Sequence, residues 1–457
     1  MPGIKKFTHF LPILLTLLTV ANHASATVSL SVTSEDVSKA KILFFGFNHE
    51  DPVVRDHGLD IFEQIRRNLN STDLFSVVRQ NGRMEINAPI DPVTGENVAQ
   101  ESMDIDSVPD FEKYGSAKVD AIVITQFVYN PSGDLEIRIR MWDVLDQRQI
   151  FGKRYTASYE NYHKAANIIS NEIFKSITGE NSGHFASQIV YTAEYGSATR
   201  RTKKIKMIDF DGTNSRSLTS GEDLVLTPVF SQKKDEVFYL RYFQNKSQIF
   251  SLDLKTLRSK KLGIFKGTTF AASPHPKDPN LVILSVILGG NSDIYEMNIR
   301  ENSAKRLTKN LAIDTTPSYS PDGKLIAFSS DRDAGQQIYI MDSNGSSLRR
   351  VSFGSGTYSK PMWSPDGKLI AFTKMKGGQF LVGTISPNGK NEKLLTSAYL
   401  VEGAKWSPNG RYLIYSKKAG PYGRDSIPRL YVIDIITGFE LEISTPANEG
   451  GTDPDWR

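Results

Sequence analysis

Few residues of this chain stand at spacings that could perform chemistry. Its 457 residues contain no cysteine, which excludes disulfides, thiol nucleophiles and Cys-ligated metals. The patterns H-E-x-x-H, G-x-S-x-G and the Walker loop are also absent. The nearest approach to a metal cluster is Asn48-His49-Glu50-Asp51, whose place at the end of a predicted strand favours a helix cap. The sequence therefore predicts no catalytic residue, no metal site and no cofactor.

Two charged patterns have both a functional and a structural interpretation. Asp322 and Asp366 each follow a Ser-Pro pair, and an aspartate in such a turn bonds to its own backbone more readily than it binds calcium. A basic run at positions 200, 201, 203, 204 and 206 resembles a polyanion site, but it lacks interleaved aromatics and favours a solvated hairpin. The net charge is only +4, from 55 basic and 51 acidic residues, so we expect no nucleic-acid partner.

The first 26 residues have the pattern of a secretory signal peptide. Lys5 and Lys6 precede a ten-residue apolar run, Leu11 to Val20, which is too short to span a membrane as a helix. Ala24-Ser25-Ala26 fits the small-residue cleavage pattern, so we expect cleavage after Ala26 and a soluble mature chain.

Residues 27–180 alternate strand and helix patterns and differ in charge from the rest of the chain. This part carries 16 basic and 24 acidic residues, whereas residues 181–457 carry 37 and 27. A continuous apolar strand from Lys41 to Phe47 precedes a helix with Asp51 as N-cap and Pro52 at its first position. A short strand, a turn-rich loop over 86–110, three further strands and a helix ending before Gly179 follow. We expect an α/β domain with a mixed sheet.

Residues 181–457 repeat one phrase, Pro-x-aromatic-Ser followed by Pro-Asp-Gly or a close variant. Its serines lie at 231, 273, 320, 364 and 407, at steps of 42, 47, 44 and 43 residues. Each unit of about 44 residues contains about four short strands, and this repeat length and strand number are typical of a β-propeller. The first unit lacks its innermost strand, and the chain finishes with Pro454-Asp-Trp456-Arg457, the start of another unit. We therefore expect six blades closed by the C-terminal strand.

The signal peptide, the acidic α/β domain and the six-unit propeller together resemble the TolB family of Gram-negative bacteria over the whole mature chain. The resemblance implies a non-enzymatic, monomeric periplasmic scaffold of the Tol-Pal system. In that system the propeller binds the peptidoglycan-associated lipoprotein Pal, and the N-terminal extension contacts TolA of the inner-membrane complex. The resemblance further implies that the protein touches membranes only through these partners, and that it supports outer-membrane integrity and constriction during cell division.

Two groups of partner-binding residues follow from this resemblance. The residues before each Pro-x-aromatic phrase should converge at one rim of the propeller channel, and the resemblance places Pal contacts there. These residues and their neighbours are Thr227, Ala271, Asp314, Thr316, Tyr358, Lys360, Glu402, Gly403 and Asp453. The TolA-type partner is assigned to the segment from Thr27 to Val37, in which Val28, Leu30 and Val32 alternate with small polar residues.

Other function classes remain open on the sequence alone. A secreted propeller could bind a small ligand or a glycan, as a sensor or transport accessory does. A degenerate peptidase-type propeller shares the same repeat phrases, although no hydrolase domain follows the last unit.

Overall fold

The computed structural model describes residues 39–457 except 48, 80–102, 181–182, 197–200, 244–245, 264, 334, 421–426 and 448. The predicted signal peptide with its cleavage site at Ala26, and Thr27, Val28, Leu30 and Val32 of the N-terminal segment, lie outside the described residues. Most of the predicted loop over 86–110 does so too. These expectations stay predictions.

The first domain is built on a five-stranded mixed sheet. Its strands are β1 (Ala40–Phe45), β2 (Phe75–Arg79), β3 (Ala121–Tyr129), β4 (Leu135–Asp143) and β5 (Arg148–Ala157). They run in the order β2-β1-β3-β4-β5, with β1 parallel to both neighbours and the other pairs antiparallel. The inner strand β1 is buried on both faces, as its continuous apolar run predicted.

Among the described residues, this domain also contains three α-helices: α1 (Pro52–Asn70), α2 (Phe111–Ser116) and α3 (Tyr162–Thr178). The predicted N-cap is confirmed, because the Asp51 carboxylate accepts a hydrogen bond from the Val53 amide. Gly179 ends α3 in a left-handed conformation, φ 71°, as expected of a C-cap glycine. The helix α2 was not predicted, since six residues hold no helical period that a sequence pattern can show.

The second domain is a six-bladed propeller, which confirms the predicted repeat count. Each blade is a four-stranded antiparallel sheet. Blade 1 contains β6 (Gln188–Tyr195), β7 (Thr202–Asp209) and β8 (Arg216–Ser217) together with β29 (Gly450–Trp456). Blade 2 contains β9 (Val225–Phe230), β10 (Glu236–Phe243), β11 (Lys246–Asp253) and β12 (Ser259–Lys261). Blade 3 contains β13 (Thr268–Pro274), β14 (Leu281–Leu288), β15 (Asn291–Asn298) and β16 (Ser303–Arg306).

The remaining three blades have the same organisation. Blade 4 contains β17 (Asp314–Tyr319), β18 (Leu325–Ser330), β19 (Gln337–Asp342) and β20 (Arg349–Arg350). Blade 5 contains β21 (Thr357–Trp363), β22 (Ile370–Lys376), β23 (Gln379–Ile385) and β24 (Lys393–Ala398). Blade 6 contains β25 (Leu400–Trp406), β26 (Tyr412–Lys418), β27 (Arg429–Asp434) and β28 (Glu440–Ile443).

The C-terminal strand closes the ring as predicted. β29 pairs antiparallel with β6, from Gly450 opposite Glu194 to Trp456 opposite Ile189. It takes the place that the first strand of every other blade occupies, and the side chain of its last residue, Trp456, is buried. The closure therefore removes the free edge that blade 1 would otherwise expose.

The two domains share one apolar core. The cluster that contains Ile65 of α1 and Ile173 of α3 continues into blades 1 and 6 through Phe210 and Tyr412. Between the domains, the His184 ring is buried against the rings of four neighbours, Phe174, Phe185, Phe210 and Tyr412. Burial, aided by the Arg411 charge, lowers the pKa of His184 to about 3, so the imidazole is neutral.

Candidate functional site

A bulge interrupts the innermost strand of every blade at the same place. Two consecutive residues of that strand face a single residue of the next strand, and the facing residue is always large and buried. The six facing residues are Tyr191, Tyr239, Leu284, Phe328, Phe372 and Tyr415. A bulge bends its strand and re-aims the side chains beside it.

The first residue of each bulge adopts a left-handed backbone conformation. The φ angles are 45° at Thr227, 53° at Ala271, 52° at Thr316, 52° at Lys360, 75° at Gly403 and 48° at Asp453. Only one of the six is a glycine, and a residue with a Cβ loses about 1–2 kcal/mol in this conformation. The packing of the blade must hold the other five residues there, which makes the position of each bulge rigid.

These six residues line one end of the propeller channel, here called the mouth. They surround a cavity of about 100 Å³ together with the residues that follow each of them. Those following residues are Pro228, Ala272, Pro317, Pro361, Ala404 and Pro454. The mouth is therefore a narrow collar on a strained but fixed backbone, and its six predicted residues do lie together. The following positions are apolar, whereas Thr227, Thr316, Lys360 and Asp453 are polar or charged.

The other three residues predicted near the mouth have different environments. Asp314 and Tyr358 are fully buried, so their side chains are not exposed to a partner and instead make contacts within their blades. Arg332 contacts Asp314 at 2.8 Å, and the Tyr358 hydroxyl donates to Glu392 at 2.8 Å. Glu402 is partly exposed and forms an ion pair with Lys360 across blades 5 and 6, at 3.1 Å.

A second ring lies deeper in the channel and was not predicted. It consists of the residue two positions after each mouth residue: Val229, Ser273, Ser318, Met362, Lys405 and Asp455. Burial lowers the pKa of Lys405, and the Asp455 and Asp453 carboxylates oppose that shift. Burial also raises the pKa of Asp455, which accepts a hydrogen bond from the Phe230 amide at 2.8 Å. The repeat phrase contains a signal for this ring. The variable residue x of Pro-x-aromatic is the residue that enters the channel.

The channel widens at its other end into a cavity of about 880 Å³, here called the funnel. Its wall includes the Ser-Pro turns of blades 4 and 5 and residues of α3 from the first domain. The turn aspartates are structural, as predicted for Asp322. Its pKa is lowered by the Ser320 hydroxyl, which donates at 2.6 Å, and by the Lys324 amide.

The described part of the basic run lies on and beside β7, which forms a hairpin with β6 as expected, but the run is less solvated than predicted. Within the described part of the run, Arg201 and Lys203 both contact Glu194, at 2.8 and 2.5 Å. Lys206 is buried against Glu449 at 2.8 Å, because both faces of β7 are covered from position 205 onward. These three cations form ion pairs within the protein and are therefore not a free site for a polyanion.

No grouping of three or more potential metal ligands occurs among the residues that the structure describes. His49 accepts a hydrogen bond from the Asp51 amide at 3.0 Å, which is consistent with a cap, while Asn48 lies outside the described residues. Within the same described ranges, no helix has the length and apolar character needed to cross a membrane.

Comparison with known proteins agrees with this architecture. Residues 174–457 match the family model described as the TolB beta propeller domain, and residues 28–150 match the TolB amino-terminal domain. The chain is 36% identical over 356 residues to the Tol-Pal system protein TolB of Gluconobacter oxydans (strain 621H), covering 77% of each chain. It shares its fold with the crystal structure of TolB from Acinetobacter baumannii, with a TM-score of 0.77 and 24% identity over 92% of this chain and 97% of that one. The chain belongs to the TolB family, the non-enzymatic proteins of the Tol-Pal system.

Proposed function

We propose that this protein is a periplasmic scaffold whose propeller mouth binds a Pal-type lipoprotein and whose N-terminal segment binds a TolA-type protein. It would thereby link the peptidoglycan-bound outer envelope to the inner-membrane Tol complex. This link supports outer-membrane integrity and the constriction of the envelope during cell division. Family membership supports the system to which the protein belongs, and the mouth supports the choice of binding surface.

The observation that carries the proposal is the ring of six left-handed bulges around one narrow opening. Strained backbone conformations that recur at one place indicate a surface held for binding. A surface that is already rigid loses little conformational entropy when a partner docks, so more of the contact energy appears as affinity.

The mouth also presents a charged pair to a partner. Lys360 and Glu402 keep 33% and 41% of their side-chain surfaces exposed while they contact each other at 3.1 Å. The pair lies beside Gly403, on the rim between blades 5 and 6. A partner with complementary charges would gain orientation from it.

The test exchanges the two charges. In the double variant Lys360→Glu/Glu402→Lys the internal pair can still form, so the fold is retained while the charges facing the partner are reversed. We expect at least a tenfold rise in the Kd for a Pal-type lipoprotein, equal to about 1.4 kcal/mol, by calorimetry. The control Lys324→Glu/Lys368→Glu reverses two exposed charges in turns at the other end of the channel and should leave the Kd unchanged. Greater sensitivity of the control would assign binding to the funnel end.

The N-terminal segment is proposed to add as a strand to the sheet edge of its partner. Backbone hydrogen bonds supply the affinity in such a complex, and the alternation of Val28, Leu30 and Val32 suits one apolar face. Deletion of residues 27–37 should abolish binding to a TolA-type protein and leave the melting temperature within a few degrees of the parent. Retained binding after this deletion would refute the assignment.

A further inference from the structure

The funnel is lined by more cations than carboxylates. Lys164 of α3, Lys234, Lys405 and Arg457 all line it. None of these four side chains makes a hydrogen bond or an ion pair with another residue in the part of the chain that the structure describes. The Arg457 guanidinium instead lies over the Phe230 ring, 4.4 Å from its centroid. Cations that outnumber the carboxylates of a cavity create a local field that attracts an anion.

The two carboxylates of the funnel are already engaged by the propeller. Asp209 accepts a hydrogen bond from the Asn214 side chain at 2.7 Å, and Asp455 accepts one from the Phe230 amide at 2.8 Å. Asp455 partly offsets the charges of Lys405 and Arg457, and Asp235 also acts on Arg457. Within the described residues, none of these carboxylates forms an ion pair with the four cations. A surplus of positive charge therefore remains for a ligand.

The funnel also has an apolar part. Rings of Pro274, Pro321 and Pro365 form its wall at the propeller side, and Ile168 of α3 lies on the opposite side with 43% of its surface exposed. The volume of about 880 Å³ suits a short extended segment, whereas the mouth has about 100 Å³. Apolar rings and separate cations together fit a chain in which acidic and apolar side chains alternate.

We propose that the funnel is a second binding site, which takes an acidic extended segment of a partner protein. Carboxylates of the segment pair with Lys164, Lys234 and Arg457, and Lys405 receives the one that reaches the channel. Apolar side chains of the segment pack on the prolines and on Ile168. Because Lys164 and Ile168 belong to the first domain, the site exists only while the two domains keep their relative position.

The burial of the aromatic residues favours a peptide over a nucleic acid. Trp363, Trp406 and Trp456 line the funnel but are only 7%, 7% and 5% exposed, so their faces are not free for base stacking. Single-stranded nucleic acids draw much of their affinity from such stacking. The ligand must therefore gain its affinity from ion pairs and from contacts with aliphatic rings.

The experiment measures fluorescence anisotropy of a labelled 12-residue peptide made of three Glu-Leu-Asp-Pro units, added to the full chain. The variant Lys164→Gln/Lys234→Gln should raise the Kd about fivefold or more, since each exposed ion pair contributes up to about 1 kcal/mol. The matched control Lys260→Gln/Lys305→Gln removes the same charge from exposed positions on the outer strands β12 and β16 and should change the Kd less than twofold. An equal effect of the two double variants, or no binding by the parent chain, would overturn the proposal.

Two further measurements separate this site from its alternatives. The exchange Lys360→Glu/Glu402→Lys at the mouth should leave peptide binding unchanged, so the two proposed sites stand or fall separately. A single-stranded oligonucleotide with the same number of negative charges should bind more weakly than the peptide. Tighter binding of the oligonucleotide, lost in Lys164→Gln/Lys234→Gln, would make the funnel a nucleic-acid site and refute the peptide assignment.

Discussion

The mouth and the funnel are the two ends of one channel, yet the mouth is distinguished by its backbone conformation and the funnel by its side chains. At the mouth the backbone is unusual, and the second residue of every bulge is alanine or proline. At the funnel the turns are ordinary and the side chains carry the distinctive features, with four cations on a cavity of about 880 Å³. Shape is fixed by conformation at one end, and charge is supplied by side chains at the other.

This difference shows how a repeated scaffold can carry two surfaces. The bulge recurs in all six blades because it belongs to the repeat, so the mouth is nearly symmetric in backbone. The funnel cations occur once each, on α3 and on blades 1, 2 and 6, so that end is asymmetric. A symmetric collar suits one inserted group, and an asymmetric funnel suits a ligand with a direction.

The largest expected effect comes from removing the strand that both ends share. Deletion of residues 450–457 takes Asp453 from the mouth and Asp455 and Arg457 from the funnel, and it exposes the edge of β6. Loss of a buried tryptophan alone costs about 3–5 kcal/mol, so we expect insoluble protein or a melting temperature lower by more than about 10 °C in calorimetry. A truncated protein that melts within a few degrees of the parent would contradict the ring closure.

A smaller effect is expected from the buried charge behind the mouth. Glu449 is fully buried, accepts hydrogen bonds from the Tyr191 and Tyr195 hydroxyls, and pairs with Lys206 at 2.8 Å. Glu449→Gln leaves the Lys206 ammonium buried without its counter-charge, so the free energy of unfolding should fall by about 3 kcal/mol in urea titration. The exposed Glu222→Gln serves as the control and should change it by less than about 0.5 kcal/mol. Equal losses would mean that the mouth does not depend on this cluster.

The funnel end should respond to pH through the domain contact behind it. The pKa of His184 is about 3 in the folded chain, whereas an unfolded chain takes up the proton near pH 6.5. Between these values the unfolded state binds more protons, so stability is fully present above pH 6.5 and falls as the pH is lowered. From pH 7 to pH 5 the loss should be about 2 kcal/mol greater than in His184→Phe, measured by urea titration at each pH. Identical pH profiles would show that the imidazole is not buried in the neutral form.

The smallest expected effects test the strain at the mouth directly. Ala271→Gly relieves a left-handed alanine and should raise the free energy of unfolding by about 0.5–1 kcal/mol. Gly403→Ala makes the opposite change and should lower it by about 1 kcal/mol. The added methyl group would meet its nearest neighbour, the Asp453 Cα, at 3.5 Å, so the cost is conformational and not steric. Changes of the same sign in both variants would remove the distinction between the two ends.

Features that repeat in the sequence could be predicted, and features that depend on three-dimensional neighbours could not. The six blades, the closing strand and the convergence of the mouth residues follow from a phrase that recurs about every 44 residues. The cap at Asp51 and the end of α3 at Gly179 follow from local backbone chemistry. These signals lie within a few residues of the features they predict.

The differences between expectation and structure have causes that a local pattern does not show. Asp314 and Tyr358 lie two residues before the mouth residues Thr316 and Lys360, but the bulge that begins at Thr316 and Lys360 interrupts the regular alternation of the strand, and both side chains are buried. Lys206 and Glu449 are 243 residues apart in the chain, and no local sequence pattern could reveal that they form an ion pair. The funnel likewise joins α3 to turns of blades 4 and 5, which the chain order separates.

The closure by β29 has a consequence for folding kinetics. Blades 2 to 6 are each continuous in sequence and can form as soon as their own residues are available, whereas blade 1 needs residues near 190 and near 455 together. Bringing such distant segments into contact costs roughly 5 kcal/mol of chain entropy, which the other blades do not incur. Ring closure is therefore the late, slow step, and until it occurs β6 presents an unpaired edge that can mispair with another chain. The same step locks the product, because the ring opens only when this one strand detaches.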